Sequence, residues 1–382
     1  MDYTKAPFSF KLAKVLRYLR LYGPRRTLAK VSAARHMKKS FNPLPVSAQA
    51  SESTGSIALI GCGNYAYSTI AYFLRRNFGN VISMCMDLDA NRAASLSETY
   101  KVPWFGTDAA PIFSNPAIKL IYIASNHATH AEYGIRGLQA GKSVYIEKPH
   151  VISEDQLKRL VHAMKASQGS VFMGFNRPGS RFGRIMQESL AREQGAGMYN
   201  WFIAGHELEP DHWYFKPEEG GRVLGNLCHW TDFVFRLVSG SVFPITIMPA
   251  KSPISESDIA VSYVFAEGSM ASITFSAKGH TFEGVKERFA GHKGNCLIAM
   301  DDFERLTIDV IDQKKRYRNL FRDHGHERNI VAAYQAVAGG PAIQDMTARA
   351  YIANTAWLFL KTKEALDSNS PVTINSFEGL LS

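Results

Sequence analysis

The chain has 382 residues, of which 46% are hydrophobic and 20% charged, and its formal net charge is +10. This length allows two domains with separate cores, and no apolar run of about 18 residues is present that would predict a membrane-spanning helix. The four cysteines are scattered without a Cys-x-x-Cys pair, which disfavours a disulfide framework or a cysteine zinc site and fits a reducing compartment.

The positive charge is concentrated near the N-terminus. Residues 1–55 hold eleven Lys and Arg residues against Asp2 and Glu52, whereas the rest of the chain carries 33 bases and 32 acids. A nearly neutral body lacks the basic surface typical of nucleic-acid-binding proteins, so we expect no nucleic-acid partner. The N-terminus also lacks an apolar segment followed by a small-residue cleavage site, so no secretory signal is predicted and the protein is expected in the cytoplasm.

The basic segment predicts a helix from Phe10 to Leu21. On a helical projection, apolar side chains share one side and basic side chains another. The apolar set is Leu12, Val15, Leu16 and Leu19, the basic set is Lys11, Lys14, Arg17 and Arg20, and Phe10, Tyr18 and Leu21 blur the division. Such a helix can lie on an anionic membrane at the inner face. Alternatively, it docks on its own chain or on a sister subunit, which is the interpretation we favour.

A second basic helical run follows Pro24, and the segments Asn42–Pro45 and Ser47–Ser56 then indicate a flexible linker. We therefore predict three parts of the chain. They are a basic extension with its linker (residues 1–55), a nucleotide-binding domain (56–176) and a second domain (177–382).

A glycine-rich loop is the most informative motif. Gly61-Cys62-Gly63-Asn64-Tyr65-Ala66 follows a short apolar run, 57–60, and precedes a helical pattern over 67–77. Gly61 permits a tight turn, Gly63 lets a pyrophosphate approach the backbone, and Ala66 lets the helix pack on the strand. The start of the helix, including Asn64 and Tyr65, offers N–H groups to phosphates. This order of strand, loop and helix predicts a dinucleotide site.

An acid after the second strand indicates which dinucleotide is bound. The apolar run 81–86 ends in Asp87, where a carboxylate accepts hydrogen bonds from a ribose diol. The same carboxylate repels a 2′-phosphate, and Leu88-Asp89 supplies no adjacent Arg, although Arg92 lies several residues further on. NAD is therefore favoured over NADP.

Strand and helix patterns alternate through residues 56–176, which predicts a doubly wound parallel sheet and an α/β fold. The predicted strands are 57–60, 81–86, 119–124, 143–147 and 170–175. The predicted helices are 67–77, 90–99, 129–140 and 153–167.

Two polar segments follow strands of this predicted sheet, where ligands bind in such folds. Ser125, Asn126 and His130 come after one strand, and Glu147-Lys148-Pro149 comes after the next. Pro149 fixes the chain as it leaves the strand, which would aim Lys148 beside a nicotinamide. A lysine there can exchange a proton with a carbinol. Taken alone, Glu147 and Lys148 are better explained as solvated charges at a strand end.

Several motifs taken together resemble the Gfo/Idh/MocA family of NAD(P)-dependent sugar and cyclitol oxidoreductases. They include the glycine loop, Asp87, the Asn126-x-x-x-His130 turn and the run from Ala140 to Pro149. The resemblance continues through 174–177, 219–222, Cys228-His229, Asp232, 301–303 and 325–326, so it covers about residues 56 to 375. Glu147–His150, Cys228-His229 and Asp301–Phe303 look like the branch found with surface-polysaccharide and nucleotide-sugar pathways.

The resemblance implies a C-terminal α+β domain with a large, mostly antiparallel open sheet. Family sheets often pack face to face, so a homodimer or homotetramer is expected. The sequence agrees, because 258–265 and 269–276 alternate as strands around Glu267-Gly268, a hairpin signal. Further strands are predicted at 197–204, 243–248, 295–300 and 304–310.

The resemblance also implies roles for individual residues. Lys148 matches the family's catalytic Lys, and His229 matches the His that hydrogen-bonds the reacting oxygen. Asp232, one turn later, is expected to steady His229. Asn126, His130 and Asn176 are expected to line the nicotinamide side, with Ser125, Glu147 and Pro149 also near the cofactor.

The chain departs from the family pattern four residues before His229. Many family dehydrogenases carry Asp there, whereas this chain has Gly225, followed by Asn226 where the polysaccharide branch often shows an acid. Either Lys148 and His229 suffice, or an acid arrives from elsewhere, with Asp211 and Glu218 as candidates.

Substrate contacts are predicted from the polar residues of the second domain. Arg177 and Arg222 could grip a diphosphate or carboxylate, together with Lys148, Asn226 and His229, while Trp213 and Tyr214 could cover a sugar face. No metal site is predicted, because the candidate histidines lack ligand spacing. Those histidines are His206, His212, His324 and His326.

The resulting hypothesis is an NAD-dependent oxidoreductase acting on a ring hydroxyl of a sugar, in particular a nucleotide sugar or its uronic acid for surface polysaccharide. Two alternatives remain open. The first is an NAD-retaining lyase or glycosidase that uses transient oxidation. The second is a scaffold that its basic arm tethers to membrane glycosyltransferases.

Overall fold

The computed structural model describes residues 7–50, 55–205, 207–208, 211–240, 242–252, 258–278, 284–340 and 346–377. Its described residues form two compact units. The Rossmann unit comprises Leu28–Phe175 and His326–Ala353, and the open-sheet unit comprises Met1–Thr27, Asn176–Gly325 and Asn354–Ser382. These limits differ from the predicted boundaries, because the arm is divided between the units and a segment of the predicted second domain packs into the Rossmann unit.

The Rossmann unit contains a six-stranded parallel sheet in the order β3-β2-β1-β4-β5-β6. The strands are β1 (Ile57–Ile60), β2 (Ile82–Met86), β3 (Trp104–Gly106), β4 (Leu120–Ile123), β5 (Ser143–Ile146) and β6 (Val171–Met173). The residues of β1, β2, β4 and β5 are all buried, which is why these strands appear in the sequence as short unbroken apolar runs. The predicted doubly wound sheet is confirmed, and only β3 was not predicted.

Helices follow the strands as predicted, with one addition. They are α2 (Tyr72–Phe78), α3 (Ala90–Tyr100), α4 (Ala110–Ser114), α5 (His127–Gln139) and α6 (Glu154–Ala166). The helix after the glycine loop differs from the prediction, because its first part, Ala66–Ala71, is π-helical and fully buried. Such π-helical turns occur often at functional sites.

A helix from far along the chain completes the Rossmann unit. The helix α9 (His326–Ala338) buries Ile330 and Ala333 in the same core cluster as β1 and β4. The hydroxyl of Tyr122 on β4 donates a hydrogen bond to the Ile330 carbonyl at 2.8 Å. The predicted domain limits missed this return of the chain because its contacts lie more than 200 residues apart.

The open-sheet unit contains a nine-stranded sheet in the order β14-β13-β12-β11-β7-β10-β9-β8-β15. Its strands are β7 (Gly197–Ala204), β8 (Ile245–Lys251), β9 (Asp258–Phe265), β10 (Met270–Ser276), β11 (Lys286–Lys293), β12 (Cys296–Asp301), β13 (Arg305–Val310), β14 (Gln313–Arg318) and β15 (Val372–Ile374). All described pairings are antiparallel except that of β10 with β7. The predicted mostly antiparallel sheet and the hairpin at Glu267-Gly268 are confirmed, with Gly268 at φ +98°.

Three helices accompany this sheet: α7 (Arg181–Leu190), α8 (Cys228–Leu237) and α10 (Met346–Ser368). A second π-helical segment, Val223–Leu227, leads directly into α8. Side chains alternate strictly between buried and exposed along β7, so one face of the sheet supports the core and the other is open.

The basic arm is helix α1 (Phe8–His36), which bends at Gly23 (φ +79°) before Pro24. Its first part packs in the open-sheet unit, where Leu21 is buried and its carbonyl accepts a hydrogen bond from the Arg322 N–H at 2.7 Å. Its second part packs in the Rossmann unit, where Ala33 and His36 are buried. The arm therefore docks on its own chain. None of the described helices is long and apolar enough to cross a membrane.

The predicted linker is partly ordered. Ala48 donates its N–H to the Pro103 carbonyl at 3.1 Å, and the Ser47 hydroxyl both donates to the Phe105 carbonyl and accepts from its N–H. These bonds satisfy backbone groups of β3, which would otherwise be an open sheet edge. The prediction of a flexible segment is thus wrong for residues 47–50, and 51–54 lie outside the described residues.

Candidate functional site

The glycine loop has the geometry that its sequence predicts. Gly61 lies at φ +87°, and a side chain there would place its Cβ 2.5 Å from the carbonyl oxygen of Ala124. Around the Cβ position of Gly63, in contrast, no atom of the described residues beyond its two chain neighbours lies within 4 Å, so the backbone of the loop is open to a ligand. A tight turn and an exposed backbone followed by helical N–H groups suit a pyrophosphate. The loop therefore fits a dinucleotide.

Asp87 lies at the end of β2 beside this loop. One carboxylate oxygen accepts a hydrogen bond from the Cys62 N–H at 2.7 Å, and the other accepts from the Asp89 N–H at 2.9 Å. Arg92 is engaged by Asp89 at 3.3 Å. Because the nearest candidate for neutralising a 2′-phosphate is already paired, the structure supports NAD rather than NADP.

Ser125, Asn126 and His130 lie at the carboxyl end of β4 and in the first turn of α5. The Ser125 hydroxyl bonds Thr129 at 2.7 Å, and Asn126, which is exposed, accepts from Thr129 at 2.9 Å. His130 is buried between two carbonyls, with Nδ1 2.8 Å from that of Pro149 and Nε2 3.1 Å from that of Ser125. Burial lowers the pKa of His130 to about 4. The imidazole thus links the two strand-end loops.

Glu147, Lys148 and Pro149 follow β5 at the same edge of the sheet. Glu147 is buried, and its carboxylate accepts hydrogen bonds from the Tyr145 hydroxyl at 3.0 Å and from the Lys148 N–H at 3.2 Å. Burial raises its pKa, against a hydrogen bond from Tyr65 and the charge of Lys148. Gly174 makes room, because a Cβ there would lie 2.6 Å from Glu147 Oε2. Glu147 is therefore not a solvated charge but the internal support of the Lys148 backbone, while Lys148 itself is half-buried.

Asn176 and Arg177 begin the open-sheet unit, and both are buried. The Asn176 amide donates to the His324 carbonyl at 2.6 Å. Arg177 forms a two-pronged ion pair with Glu287, at 2.7 and 2.8 Å, and stacks 4.7 Å from the Trp230 ring. The Trp230 indole N–H donates to the same carboxylate at 2.8 Å. The described partners of Arg177 are therefore internal, and its contact with substrate remains a prediction.

His229 and Asp232 lie in the first turns of α8. His229 is 9% exposed, and Asp232 is fully buried. The carboxylate of Asp232 accepts hydrogen bonds from Arg236 at 3.1 Å and from the Thr355 hydroxyl at 3.1 Å. These bonds anchor α8, so the expectation that Asp232 steadies His229 remains a prediction.

Arg222 and Asn226 do meet, in a cavity of about 220 Å³ within the open-sheet unit. Its polar lining also includes His212, Trp213 and Tyr214. The side-chain oxygen Oδ1 of Asn226 is buried and has no hydrogen-bond partner among the described residues, so it can accept one from a ligand. Burial lowers the pKa of Arg222, and burial with the Arg222 charge lowers that of His212.

Two features of these sites were not predicted. Glu287 is fully buried beneath Arg177 and Trp230 and lies on β11, a strand that the sequence did not reveal. The π-helical segments before α2 and α8 were also missed, although both contain residues singled out for function. His206 lies outside the described residues, and no group of three potential metal ligands occurs in the described ones.

Comparison with known proteins agrees with the dinucleotide-binding geometry of the glycine loop. Residues 56–175 match the family model described as "Oxidoreductase family, NAD-binding Rossmann fold". Oxidoreductase P35 of Formosa agariphila is 28% identical over 120 residues, which cover 31% of this chain and 37% of that protein. The 1,5-anhydro-D-fructose reductase of Ensifer adhaerens is 26% identical over 178 residues, covering 44% of this chain and 51% of that protein. The matches thus span about a third to a half of these relatives.

A solved structure extends the likeness in fold to both units. Levoglucosan dehydrogenase, in complex with NADH and levoglucosan, gives a TM-score of 0.73 at 17% identity, covering 85% of this chain and 100% of that one. The Rossmann unit with its dinucleotide-type loop and the separate open sheet define the class of fold: two α/β units, of which the first has an NAD-binding Rossmann fold. The matched segment, residues 56–175, belongs to the Gfo/Idh/MocA oxidoreductase family.

Proposed function

We propose that the protein oxidises a ring hydroxyl of a sugar and passes the hydride to NAD. The observation that carries this proposal is the position of Lys148, which directly follows β5 at the sheet edge where the glycine loop follows β1. Loss of hydride from a carbinol requires loss of its hydroxyl proton. Lys148 is assigned the role of accepting that proton, and Glu147 fixes the backbone from which the lysine projects.

The cavity at Arg222 and Asn226 supplies the argument for a sugar substrate. Its volume of about 220 Å³ is smaller than the ~300–1,000 Å³ typical of drug-sized ligands and suits a single sugar ring. The side-chain oxygen of Asn226 accepts a hydrogen bond from a ring hydroxyl, and Trp213 and Tyr214 offer aromatic surface to the ring. His229, on the following helix, is assigned the role of holding the reacting oxygen.

Arg222 favours a substrate that carries an anionic group. A guanidinium in a partly buried cavity binds a carboxylate or phosphate through charge-assisted hydrogen bonds. A uronic acid places its carboxylate on the sugar ring itself, whereas the nucleotide of an activated sugar would extend beyond a cavity of this size. The motifs that resemble the polysaccharide branch support a nucleotide sugar for surface polysaccharide, and this finer assignment rests on them alone.

A panel of substrates tests the proposal. Purified protein with NAD is assayed for NADH fluorescence with neutral sugars, uronic acids, nucleotide sugars and nucleotide uronic acids. Lys148→Ala should lower turnover by roughly a thousandfold and leave NAD affinity nearly unchanged. Lys158→Ala is the matched control, because that lysine is exposed on α6 and pairs with Glu154. Undiminished turnover in Lys148→Ala would refute the assigned role.

The same assay distinguishes net oxidation from the alternative, an NAD-retaining lyase or glycosidase reaction. A lyase or glycosidase that oxidises its substrate transiently consumes sugar without net NADH. Chromatography of the sugar product alongside NADH fluorescence therefore decides between net oxidation and NAD-retaining cleavage.

We further propose a homodimer formed through the open face of the nine-stranded sheet. Large apolar side chains are exposed on three strands there, β7, β10 and β12: Met198, Phe202, Met270 and Leu297. Met198 and Met270 are register partners on β7 and β10. Exposed apolar side chains on the open face of a sheet are typical of an interface, and a second copy presents the same surface. Light scattering should give a dimer for the wild type and a monomer for Phe202→Asp, whereas a monomeric wild type would exclude this interface.

We also propose that the arm binds anionic membranes at the cytoplasmic face. Its exposed apolar side chains recur at helical spacing: Phe8, Leu12, Val15, Leu16 and Leu19. The described part of the arm, residues 7–50, contains ten Lys and Arg residues and no acid. The apolar side chains can enter the lipid interface while the basic side chains attract anionic headgroups, a combination that suits an anionic membrane better than nucleic acid.

Vesicle sedimentation tests the membrane proposal. Wild-type protein should bind vesicles rich in phosphatidylglycerol and not vesicles of phosphatidylcholine. Leu12→Asp/Leu16→Asp should abolish binding, whereas Leu44→Asp/Val46→Asp, which adds the same charge at exposed positions beyond α1, should largely retain it. Equal losses in both double variants would show attraction by charge alone, and no binding by the wild type would end the proposal.

A further inference from the structure

The second part of the arm contacts the glycine loop inside the Rossmann unit. His36 is 3% exposed, with Nε2 2.7 Å from the Cys62 carbonyl oxygen and Nδ1 2.9 Å from the Ser95 hydroxyl. A carbonyl can only accept, so Nε2 carries the proton and donates to Cys62, and Nδ1 accepts from Ser95. Burial lowers the pKa of His36, which keeps the ring neutral at pH 7.

The peptide of Cys62, between the two glycines, is therefore held from both sides. Asp87 accepts its flanking N–H at 2.7 Å, and His36 donates to its carbonyl. The His36 ring also stacks on Tyr67 at 4.1 Å, and the Ser32 hydroxyl bonds the Tyr67 hydroxyl at 2.7 Å. The arm is thus fixed against the beginning of the helix that follows the loop.

One basic side chain of this docked segment reaches the loop itself. Lys30 Nζ lies 3.5 Å from the side-chain oxygen of Asn64, the residue directly after Gly63. Next to it is the open space at the Cβ position of Gly63, where the loop exposes its backbone. A cation at this place lies where the loop and helical N–H groups favour the pyrophosphate of a dinucleotide.

We propose that Lys30 is a pyrophosphate-binding residue of the NAD site, contributed by an N-terminal extension that lies outside the family segment 56–175. The docked arm holds its ammonium beside the glycine loop, so the extension forms one wall of the cofactor site. The positive charge of Lys30 attracts the diphosphate, and His36 fixes the loop to which the diphosphate binds. The inference depends on NAD binding and is independent of which sugar is oxidised.

Binding titrations of the full chain test this role without any turnover. The ligands are NAD, ADP-ribose and adenosine, which differ in the presence of the diphosphate, and calorimetry gives the dissociation constants. Lys30→Gln should bind NAD and ADP-ribose roughly tenfold more weakly and adenosine as tightly as the wild type. The loss should shrink between 0.05 and 0.5 M salt, because a partly exposed charge is screened.

Matched variants make the result specific. Lys38→Gln removes the same charge from an exposed residue just beyond the helix and should bind all three ligands normally. Lys30→Arg keeps the charge and should stay within about threefold of the wild type. Unchanged NAD affinity in Lys30→Gln, or an equal loss for adenosine, would overturn the assignment. If no sugar is oxidised but the three ligands behave as expected, the cofactor inference stands and the proposed reaction falls.

Discussion

Substitutions at three glycines of the Rossmann unit should distinguish effects on folding stability from effects on NAD binding. Gly61 combines φ +87° with a Cβ position 2.5 Å from the Ala124 carbonyl. Gly141 has φ +71° with no atom within 4 Å, and Gly63 has neither a left-handed φ nor a neighbour within that distance. Alanine should therefore introduce both backbone strain and a steric clash at Gly61. It should introduce backbone strain alone at Gly141 and neither at Gly63.

The expected magnitudes follow from these geometries. A left-handed backbone costs a side-chain-bearing residue ~1–2 kcal/mol, so Gly141→Ala should destabilise the protein by about that amount. Gly61→Ala adds an overpacking cost of ~1–3 kcal/mol, because two backbone segments must move, for a total of roughly 2–5 kcal/mol. At about 2–4 °C per kcal/mol, the melting temperature of Gly61→Ala should fall by roughly 4–20 °C. Gly63→Ala should leave the apo protein within ~0.5 kcal/mol of the wild type.

The variants should rank differently by their effect on NAD affinity than by their effect on stability. Gly63→Ala places a methyl group where the pyrophosphate approaches the loop, so the dissociation constant should rise roughly a hundredfold although the fold is intact. Thermal unfolding of the apo proteins and calorimetric titration with NAD measure the two effects separately. If Gly63→Ala melts as early as Gly61→Ala, or binds NAD like the wild type, the reasoning about the loop is refuted.

Three further predictions follow from buried polar groups. Glu287→Gln removes the charge that neutralises buried Arg177 and should lower the free energy of unfolding by ~3–5 kcal/mol in urea titrations, whereas the exposed control Glu364→Gln should change little. The folded-state pKa of His130 is about 4, below its unfolded value of 6.5. The contribution of His130 to the free energy of unfolding, at most ~3 kcal/mol, is therefore complete above pH 6.5 and is lost as the pH falls towards 4. His130→Asn should make the free energy of unfolding less dependent on pH over that range. Asp87→Asn should weaken NAD binding about tenfold and narrow the preference over NADP, and an unchanged ratio of the two dissociation constants would contradict the assigned role of this carboxylate.

The Rossmann sheet could be predicted from the sequence because its strands are buried on both faces. Unbroken apolar runs such as Ile57–Ile60 signal such strands directly, and the glycine loop fixes where the first one ends. The three-residue strand β3 is too short to give a pattern. The docking of α9 depends on contacts remote in sequence, which no local pattern contains.

The missed strand β11 shows why part of the site was also missed. Its inward positions are Glu287, Phe289, Gly291 and Lys293, so the expected alternation of apolar and polar residues is absent. Each inward polar group is paired: Glu287 with Arg177 and Trp230, and Lys293 with the Ser239 hydroxyl at 3.0 Å. Buried polar residues that are satisfied by distant partners carry no signal in a single sequence.

The basic arm was harder to interpret because its apolar side is not the side that packs. The spacing of Leu12, Val15, Leu16 and Leu19 predicted one apolar face, yet all four are exposed. The residues that blurred the projection make the contacts instead. Leu21 is buried, and Tyr18 stacks on Tyr22, which lies beneath Arg322.

This inversion supports the proposal that the exposed apolar side of the arm binds anionic membranes. A helix whose only task was to dock would bury its apolar stripe, because leaving it in water forfeits roughly 25 cal/mol for each Å² of apolar surface. Here Leu21 and the aromatic rings of Tyr18 and Tyr22 make the contacts, and the stripe remains available to another surface. Beyond the bend at Gly23, the second part of α1 contacts the glycine loop through His36 and Lys30.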